Sequence, residues 1–434
     1  MHRIAKHITD YTRQIKGFDR NAKLFLLGNI LVMLSQGVFF VFFNLYLKKG
    51  ELGEDIIGYL NSSQMWAPVI FALPMGLWVA RMKLKKAFLI SIPLTIVSLA
   101  ASSLTLVPLV LVTMALMTGA AKMIFNAATG QFIMANSRQD NRHYVFAVYW
   151  AIYSFIAVIG SLIGGIIPDF LADWFSLSEF LSLRFSLFAV SLLTIFGMIP
   201  FAMLREKEGN VIKPKTTFPW RNWKTVKHYI RFPILHLAIG LGAGFIVPFF
   251  SIFFSEKFGL KPSYIGYIFA ISAAGTGLMT LAMPLLARRL GKLWAIVIPQ
   301  TISIPFILAI VYAPCAIVAV VVYWIRDILM NGTNPIANQI VMEETEEEKR
   351  PIISNINTLS WSGGWAITVA ISGVLIKNYG YLPSYYCTFG IYIIHIILLF
   401  LFYRNIPGIR DKVIAGKEPE KKYVPPRTGT LQKR

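Results

Sequence analysis

Five ionisable side chains stand inside stretches that are otherwise apolar: Lys122, His236, Arg326, Asp327 and His395. A charge at the centre of a lipid-embedded helix costs roughly 2.5 to 3.5 kcal/mol on insertion scales, so each such residue needs a compensating partner or a task. Arg326 and Asp327 lie together in VVVYWIRDILMNGTNPIANQIVM, Val320 to Met342. Neighbours in sequence point about 100° apart on a helix, which predicts that Arg326 and Asp327 do not neutralise one another and that each pairs with another element. Tyr323, Asp327, Asn331, Asn334 and Asn338 follow at steps of three or four, a polar seam that should face protein or water. Three chemistries suit this set. Two cations, Lys122 and Arg326, against one carboxylate favour an anionic or carboxylate-bearing substrate. Alternatively Asp327 takes up a proton when its cationic partner withdraws, because a carboxylate without a cation in a low dielectric favours its protonated form. The third reading is a fixed ion clamp between helices. His236 and His395 read as hydrogen-bonded packing residues rather than proton relays.

The elements that must position these groups follow from composition. The chain has 434 residues, 56% of them hydrophobic and only 15% charged, with mean hydropathy +0.60, outside the range of soluble domains. A window of about 19 residues predicts an all-α membrane protein with about twelve transmembrane helices. They run near Ala22 to Leu47, Ile56 to Ala80, Ala87 to Val107, Leu109 to Met134, Tyr144 to Ile167 and Ser182 to Met203. The second set is Ile230 to Phe254, Ser263 to Ala287, Leu293 to Ala313, Cys315 to Met342, Ile352 to Ile376 and Tyr385 to Tyr403.

The net charge of +21 does not point to nucleic acid, because the basic residues alternate between loops with the parity of a membrane orientation. One side collects Arg81 to Lys86, Arg138, Arg142, Arg288 to Lys292, Lys349, Arg350 and both chain ends, so the positive-inside rule places the N and C termini in the cytoplasm. The first residues carry many charges and no apolar core, which argues against a cleavable signal peptide. Ile4, Ile8, Tyr11, Ile15 and Phe18 repeat at helical spacing, so this arm either lies on the lipid surface or is solvated. Cys315 and Cys387 fall in or at spans, where a disulfide is not expected, and the outer loops lack N-x-S/T; a bacterial inner (plasma) membrane is the location expected.

The two halves match at one offset of 208 residues: Gly58-Tyr59 with Gly266-Tyr267, Arg81 with Arg289, Asn126 with Asn334, Gln131 with Gln339, Met134 with Met342 and Arg142 with Arg350. Two pseudo-symmetric six-helix bundles follow. The expected division is an arm at 1–21, a first bundle at 22–203, a linker at 204–229, a second bundle at 230–403 and a basic tail at 404–434. The linker, rich in charge and holding Pro214 and Pro219, is too short to be an enzyme domain.

With these features the sequence resembles the major facilitator superfamily (MFS) of secondary transporters over nearly its whole length. The family carries a signature after its second span, roughly G-x-L-x-D-R-x-G-R-K. GLWVARMKLKK here keeps Gly76, Arg81 and Lys85 but has Ala80 for the Asp and Lys83 for the Gly. The second copy, PLLARRLGK, keeps Leu286, Arg289, Gly291 and Lys292 but has Pro284 and Arg288 at the Gly and Asp positions. The Asp of that inner gate is absent here; the resemblance leaves Arg81, Lys85, Arg288 and Arg289 as gate cations, with Glu343 and Glu344 either as partners of Arg288 and Arg289 or as part of a solvated charged loop, EETEEEKR. GSLIGG, Gly160 to Gly165, is similar to a glycine-rich antiporter motif, though small residues there also let helices approach closely.

In that family the first, fourth, seventh and tenth spans surround a central path. The resemblance thus implies that Lys122 and Asp327 look into one cavity and pair across it in one conformation. Asn126 and Asn334 are repeat equivalents on that face, as are Tyr153 and Trp361; with Arg326, Asn331 and Gln36 they complete the candidate pathway, and Tyr149, Asn357 and Trp365 are further lining candidates. The function expected is secondary active transport of a small organic solute by alternating access, coupled to protons and suited to an anionic substrate. The rivals are an amphiphile or drug exporter or lipid flippase on the same fold, and a non-transporting receptor or assembly partner. No phosphate loop, H-E-x-x-H, G-x-S-x-G or TVGYG occurs, so neither direct ATP drive, an embedded hydrolase nor a channel filter is expected. The chain reads as a non-enzyme without cofactor or metal, working in the lipid bilayer as a monomer, with no nucleic-acid partner.

Overall fold

Apolar stretches that cannot hydrogen-bond to lipid close their backbone bonds within helices. The computed structural model, described for residues 18–137, 142–205, 228–404 and 406, is accordingly built of helices. The first six spans are Arg20–Lys49, Glu54–Arg81, Leu84–Leu104, Pro108–Ala135, Arg142–Phe175 and Glu179–Ala202. The seventh is Arg231–Ile246 continued by Phe250–Phe258, the eighth Pro262–Leu290 and the ninth Lys292–Val311. The tenth is Ala316–Asn331 continued by Asn334–Glu343, the eleventh Arg350–Tyr379 and the twelfth Leu382–Tyr403. Among the described residues, eleven spans are long and apolar enough to cross a membrane, and Glu54–Arg81, at 28 residues, makes the twelfth helix of the set. Most of the arm, the linker and the tail lie outside the described residues.

The repeat is visible in the helix starts. Glu54 and Pro262, Leu84 and Lys292, Pro108 and Ala316, and Arg142 and Arg350 each begin a helix, every pair standing 208 positions apart, as 54 and 262 do. The halves nevertheless differ. The first and fourth spans are continuous, whereas their counterparts break: the seventh at the 3₁₀ turn Val247–Phe249 and the tenth at Gly332 and Thr333. Proline removes an N–H from the helix ladder and crowds the carbonyl four residues back, and Pro248 and Pro335 stand at these two breaks. The seam expected along one continuous tenth helix is therefore divided, with Asp327 and Asn331 before the break and Asn334 and Asn338 after it.

The apolar cores show how the halves meet. Toward the basic loops each half has its own cluster: Phe25, Phe88, Phe132 and Phe201 in the first half, Phe232, Leu293, Ile340 and Tyr403 in the second. Toward the opposite end one cluster runs through both halves, joining Phe42, Tyr46 and Leu183 to Phe249, Phe253 and Tyr385. Two crossings seal that end, the second span on the eleventh and the fifth on the eighth. At the first, a Cβ on Gly58 would lie 2.7 Å from the carbonyl oxygen of Val369; at the second, a Cβ on Gly266 would lie 2.5 Å from that of Ser161. Glycine alone permits such backbone approach.

Charges reinforce the seal. Lys48 pairs with Glu54 of its own half and, at 3.1 Å, with Glu256 of the other; Lys377 reaches Asp55 at 2.8 Å. Tyr381 donates to Glu256 at 2.5 Å, the Ser263 N–H to Asp169 at 3.0 Å, and the Asn44 amide to the carbonyl of Pro248 at 2.7 Å. The molecule is closed at the end remote from the basic loops.

Candidate functional site

A central cavity lies beneath this seal. The first four spans supply most of it, and the second half contributes Pro248, at the break of the seventh span, and Trp365. Its wall is amphiphilic: Gln36, Asn44, Asn61 and Gln64 carry amides, while Phe39, Phe40, Phe43 and Trp365 carry rings. Asn61 donates to Asn44 at 2.9 Å, which holds the two amides in register with the Pro248 carbonyl. Thr118 donates to Ser98 at 2.9 Å and pins the fourth span to the third. One turn further along the fourth span, Lys122 enters this cavity half-buried, with no hydrogen-bond or ion-pair partner among the described residues.

Asp327 does not share that cavity with Lys122, contrary to expectation. Its carboxylate is held within the second half by three donors: Ser272 at 2.5 Å, Asn331 at 2.8 Å and the Arg326 guanidinium at 3.2 Å. The expectation that adjacent Arg326 and Asp327 cannot neutralise one another is thereby overturned. The Cα–Cβ directions diverge, yet the long arginine stem curls across the helix surface and brings its fork back to the neighbouring carboxylate. Arg326 is 1% exposed, bonded through its second amino group to the Tyr392 hydroxyl at 3.3 Å, with its guanidinium over the Phe250 and Tyr392 rings at 5.8 and 5.7 Å. It is packed within the second half and is not among the residues lining the central cavity. Asn126, Tyr153 and Asn334 are exposed, while Gln36 and Trp361 each line a cavity.

The inner-gate expectation is also corrected in part. Glu343 pairs with Lys292 and accepts from Gln339 at 2.8 Å, and Glu344 pairs with Arg231 at 3.0 Å. Arg288 and Arg289 are exposed, and among the described residues neither they nor Arg81 and Lys85 form an ion pair. The tenth span ends beside the seventh and ninth, so its terminal carboxylates meet cations of their own half.

A second cavity opens near the basic end of the second half and was not foreseen as a compartment. It is lined by His236, Asn338, Asn357, Thr358 and Trp361, among others. His236 donates through Nδ1 to the Phe232 carbonyl at 2.9 Å, so the expected packing bond exists, but the ring also faces a cavity. The signal available in the sequence was the placement of Asn357 and Trp361 one turn apart on an apolar helix. His395 is buried at 1% exposure in the last span. No cluster of three metal-ligating side chains occurs among the described residues.

Comparison with known proteins agrees with this architecture. The sequence profile described as Major Facilitator Superfamily matches residues 25–243 and 234–432. No curated protein matches the sequence significantly. Among solved structures, a bacterial homologue of the human lysosomal transporter Spinster, in an inward-facing and unoccupied conformation, superposes with a TM-score of 0.72 at 13% identity, covering 88% of this chain and 96% of its own. A bacterial homologue of the iron transporter ferroportin in the inward-facing state gives 0.71 at 12% identity, with 88% and 98% covered. The nucleoside transporter NupG gives 0.69 at 13%, with 89% and 100% covered. Likeness at this identity speaks for the fold, and the profile speaks for the family: the chain belongs to the Major Facilitator Superfamily.

Proposed function

We propose that the chain is a secondary active transporter that carries a small amphiphilic organic anion by alternating access, with the acid group of the substrate on Lys122 and its apolar body against Phe39, Phe40, Phe43 and Trp365. The observation that carries this reading is the lone lysine: a cation in a cavity whose other polar groups are neutral amides and hydroxyls, with no partner among the described residues. A carboxylate or phosphate on the substrate would complete it, and a charge-assisted hydrogen bond of this kind contributes about 1.5 to 3 kcal/mol. The seal at one end and the separate cores at the other support a rocking motion of one bundle against the other about this cavity.

Asp327 is the group assigned to proton coupling. Ser272, Asn331 and Arg326 donate to it here, and movement of the eighth span away from the tenth would remove Ser272. On this reading Asp327→Asn abolishes accumulation driven by a pH gradient while solute exchange persists, and unchanged accumulation would eliminate the assignment. The same reading keeps both termini cytoplasmic, the protein in a bacterial inner membrane, and the monomer as the working unit.

The test is flux in proteoliposomes loaded with a panel of carboxylates and organic phosphates. Anion uptake that responds to a pH step and is lost in Lys122→Ala is the expected result. Movement of a fluorescent lipid analogue without anion flux would instead support the flippase, which the aromatic wall of the cavity also suits. Movement of neither would support a receptor.

A further inference from the structure

One hydrogen bond between the two halves lies in the wall of the central cavity. Asn44, on the first span and 4% exposed, donates its amide at 2.7 Å to the carbonyl of Pro248, at the break of the seventh span. Asn61, half-buried on the second span, donates to Asn44 Oδ1 at 2.9 Å and to the Ile57 carbonyl of its own helix at 2.8 Å. Asn44, Asn61 and Pro248 all line the cavity. Lys48–Glu256, Lys377–Asp55 and Ser263–Asp169 also join the halves, but none of those six residues lines it. We propose that Asn61 and Asn44 form a latch worked from within the cavity, and that the organic anion carried here bears a second hydrogen-bond acceptor, about 10 Å from its acid group, that releases it. The inference rests on the reading of Lys122 as the site of the acid.

The separation follows from depth. The second and fourth spans both start at the sealed end, at Glu54 and Pro108, and Asn61 stands seven residues in, Lys122 fourteen. At a rise of about 1.5 Å per residue, their depths differ by about 10 Å. Phe39 and Phe40 stand at intermediate depth on the first span, where they meet the apolar body of the occupant. Both amide hydrogens of Asn61 are engaged, so an acceptor offered by the occupant replaces one of its bonds. The Ile57 carbonyl lies on the same helix as Asn61, so the bond to Asn44 is the one exchanged. One acceptor then stands in for another at Asn61, and the Asn44 amide loses the partner that orients it toward Pro248. An occupant shifts a two-state equilibrium only through contacts that differ between the states, and this contact differs. An anion too short, or without the second acceptor, meets Lys122 and leaves the latch shut.

Spin labels on cysteines replacing Asp173 and Tyr379, exposed positions at the sealed ends of the fifth and eleventh spans, report the separation of the halves by double electron–electron resonance. The full chain is used in lipid nanodiscs, with Cys315→Ser and Cys387→Ser to remove the native thiols. The probes are monomethyl azelate, a monoanion with an ester carbonyl at the far end of its chain, and nonanoate, its counterpart without that acceptor. Monomethyl azelate should raise the ratio of separated to closed populations about threefold or more, and nonanoate should leave it unchanged. Without any probe, Asn44→Leu should raise the ratio about threefold to tenfold, and monomethyl azelate should then add nothing. Asn61→Leu gives the same reading where Asn44→Leu fails to fold. Asp55→Asn, at the rim, should keep the full response to monomethyl azelate. The inference alone is overturned if both anions bind and shift the distances equally or not at all, if the latch variants match the parent without a probe, or if they respond to monomethyl azelate as the parent does. Binding of neither anion in isothermal titration would overturn the organic-anion reading of Lys122, and this inference with it.

Discussion

The fourth and tenth spans hold equivalent places in the repeat and handle charge in opposite ways. Lys122 on the fourth enters a cavity without a partner among the described residues, whereas Asp327 on the tenth is surrounded by Ser272, Asn331 and Arg326. The fourth helix is continuous and the tenth breaks one turn after Asp327. A duplicated bundle has thus kept its helix order while its polar chemistry divided: one half offers a charge, and the other satisfies its own. The two ends of the molecule repeat the contrast. At the sealed end Lys48 and Lys377 cross between halves, while at the basic end Lys292 and Arg231 stay within theirs.

Removing the guanidinium is the most severe way to break this contrast. Arg326→Met leaves Asp327 without its cation, and loss of one partner of a buried pair costs about 3 to 5 kcal/mol. A large fall in the thermal unfolding midpoint in detergent is expected, mostly recovered in Arg326→Met with Asp327→Asn; a double variant as unstable as the single would show that the pair does not act as a unit.

Lys122→Ala should behave in the opposite manner. With no partner to orphan, its unfolding midpoint should equal that of the parent or exceed it, while affinity for the organic anion falls about 10- to 100-fold. Binding isotherms and melting curves on one preparation check both halves of that statement. A destabilised Lys122→Ala would return the lysine to a structural role.

The sealed end can be tested by bulk. Gly266→Val places a branched side chain against the backbone of Ser161, and overpacking of this kind costs about 1 to 3 kcal/mol. The expected outcome is a chain biased away from closure at that end, read as faster labelling, by an impermeant thiol reagent added on the sealed side, of a cysteine replacing Gln64 in the cavity wall. Labelling no faster than that of the Gln64 cysteine alone would mean that the crossing yields elsewhere.

The smallest effect belongs to the Asp55–Lys377 pair. Its side chains are 23% and 50% exposed, and pairs of that kind contribute under about 1 kcal/mol. Asp55→Asn should shift the same labelling rate only slightly, less than Gly266→Val, and should lose even that shift at high salt. A change as large as that of the glycine variant would rank the charges above the backbone contact in holding the end shut.

Much of this protein was legible without coordinates. The spans, the offset of 208 and the family could be read because a bilayer imposes a local rule: each crossing segment must be apolar and must satisfy its own backbone, so hydropathy and helix length are written in contiguous residues. The same rule flags Lys122 and Asp327 as costly. It says nothing of partners. That Arg326 bends back onto Asp327, that Glu343 meets Lys292 rather than Arg288, and that His236 and Asn357 enclose a compartment of their own depend on rotamers and on contacts between helices far apart in sequence. The sequence by itself therefore determined which segments cross the membrane and which charges need an explanation there. Only the tertiary structure decided which of those charges is satisfied and which is left without a partner among the described residues, because a side chain's partner is selected by packing in three dimensions and not by its neighbours along the chain.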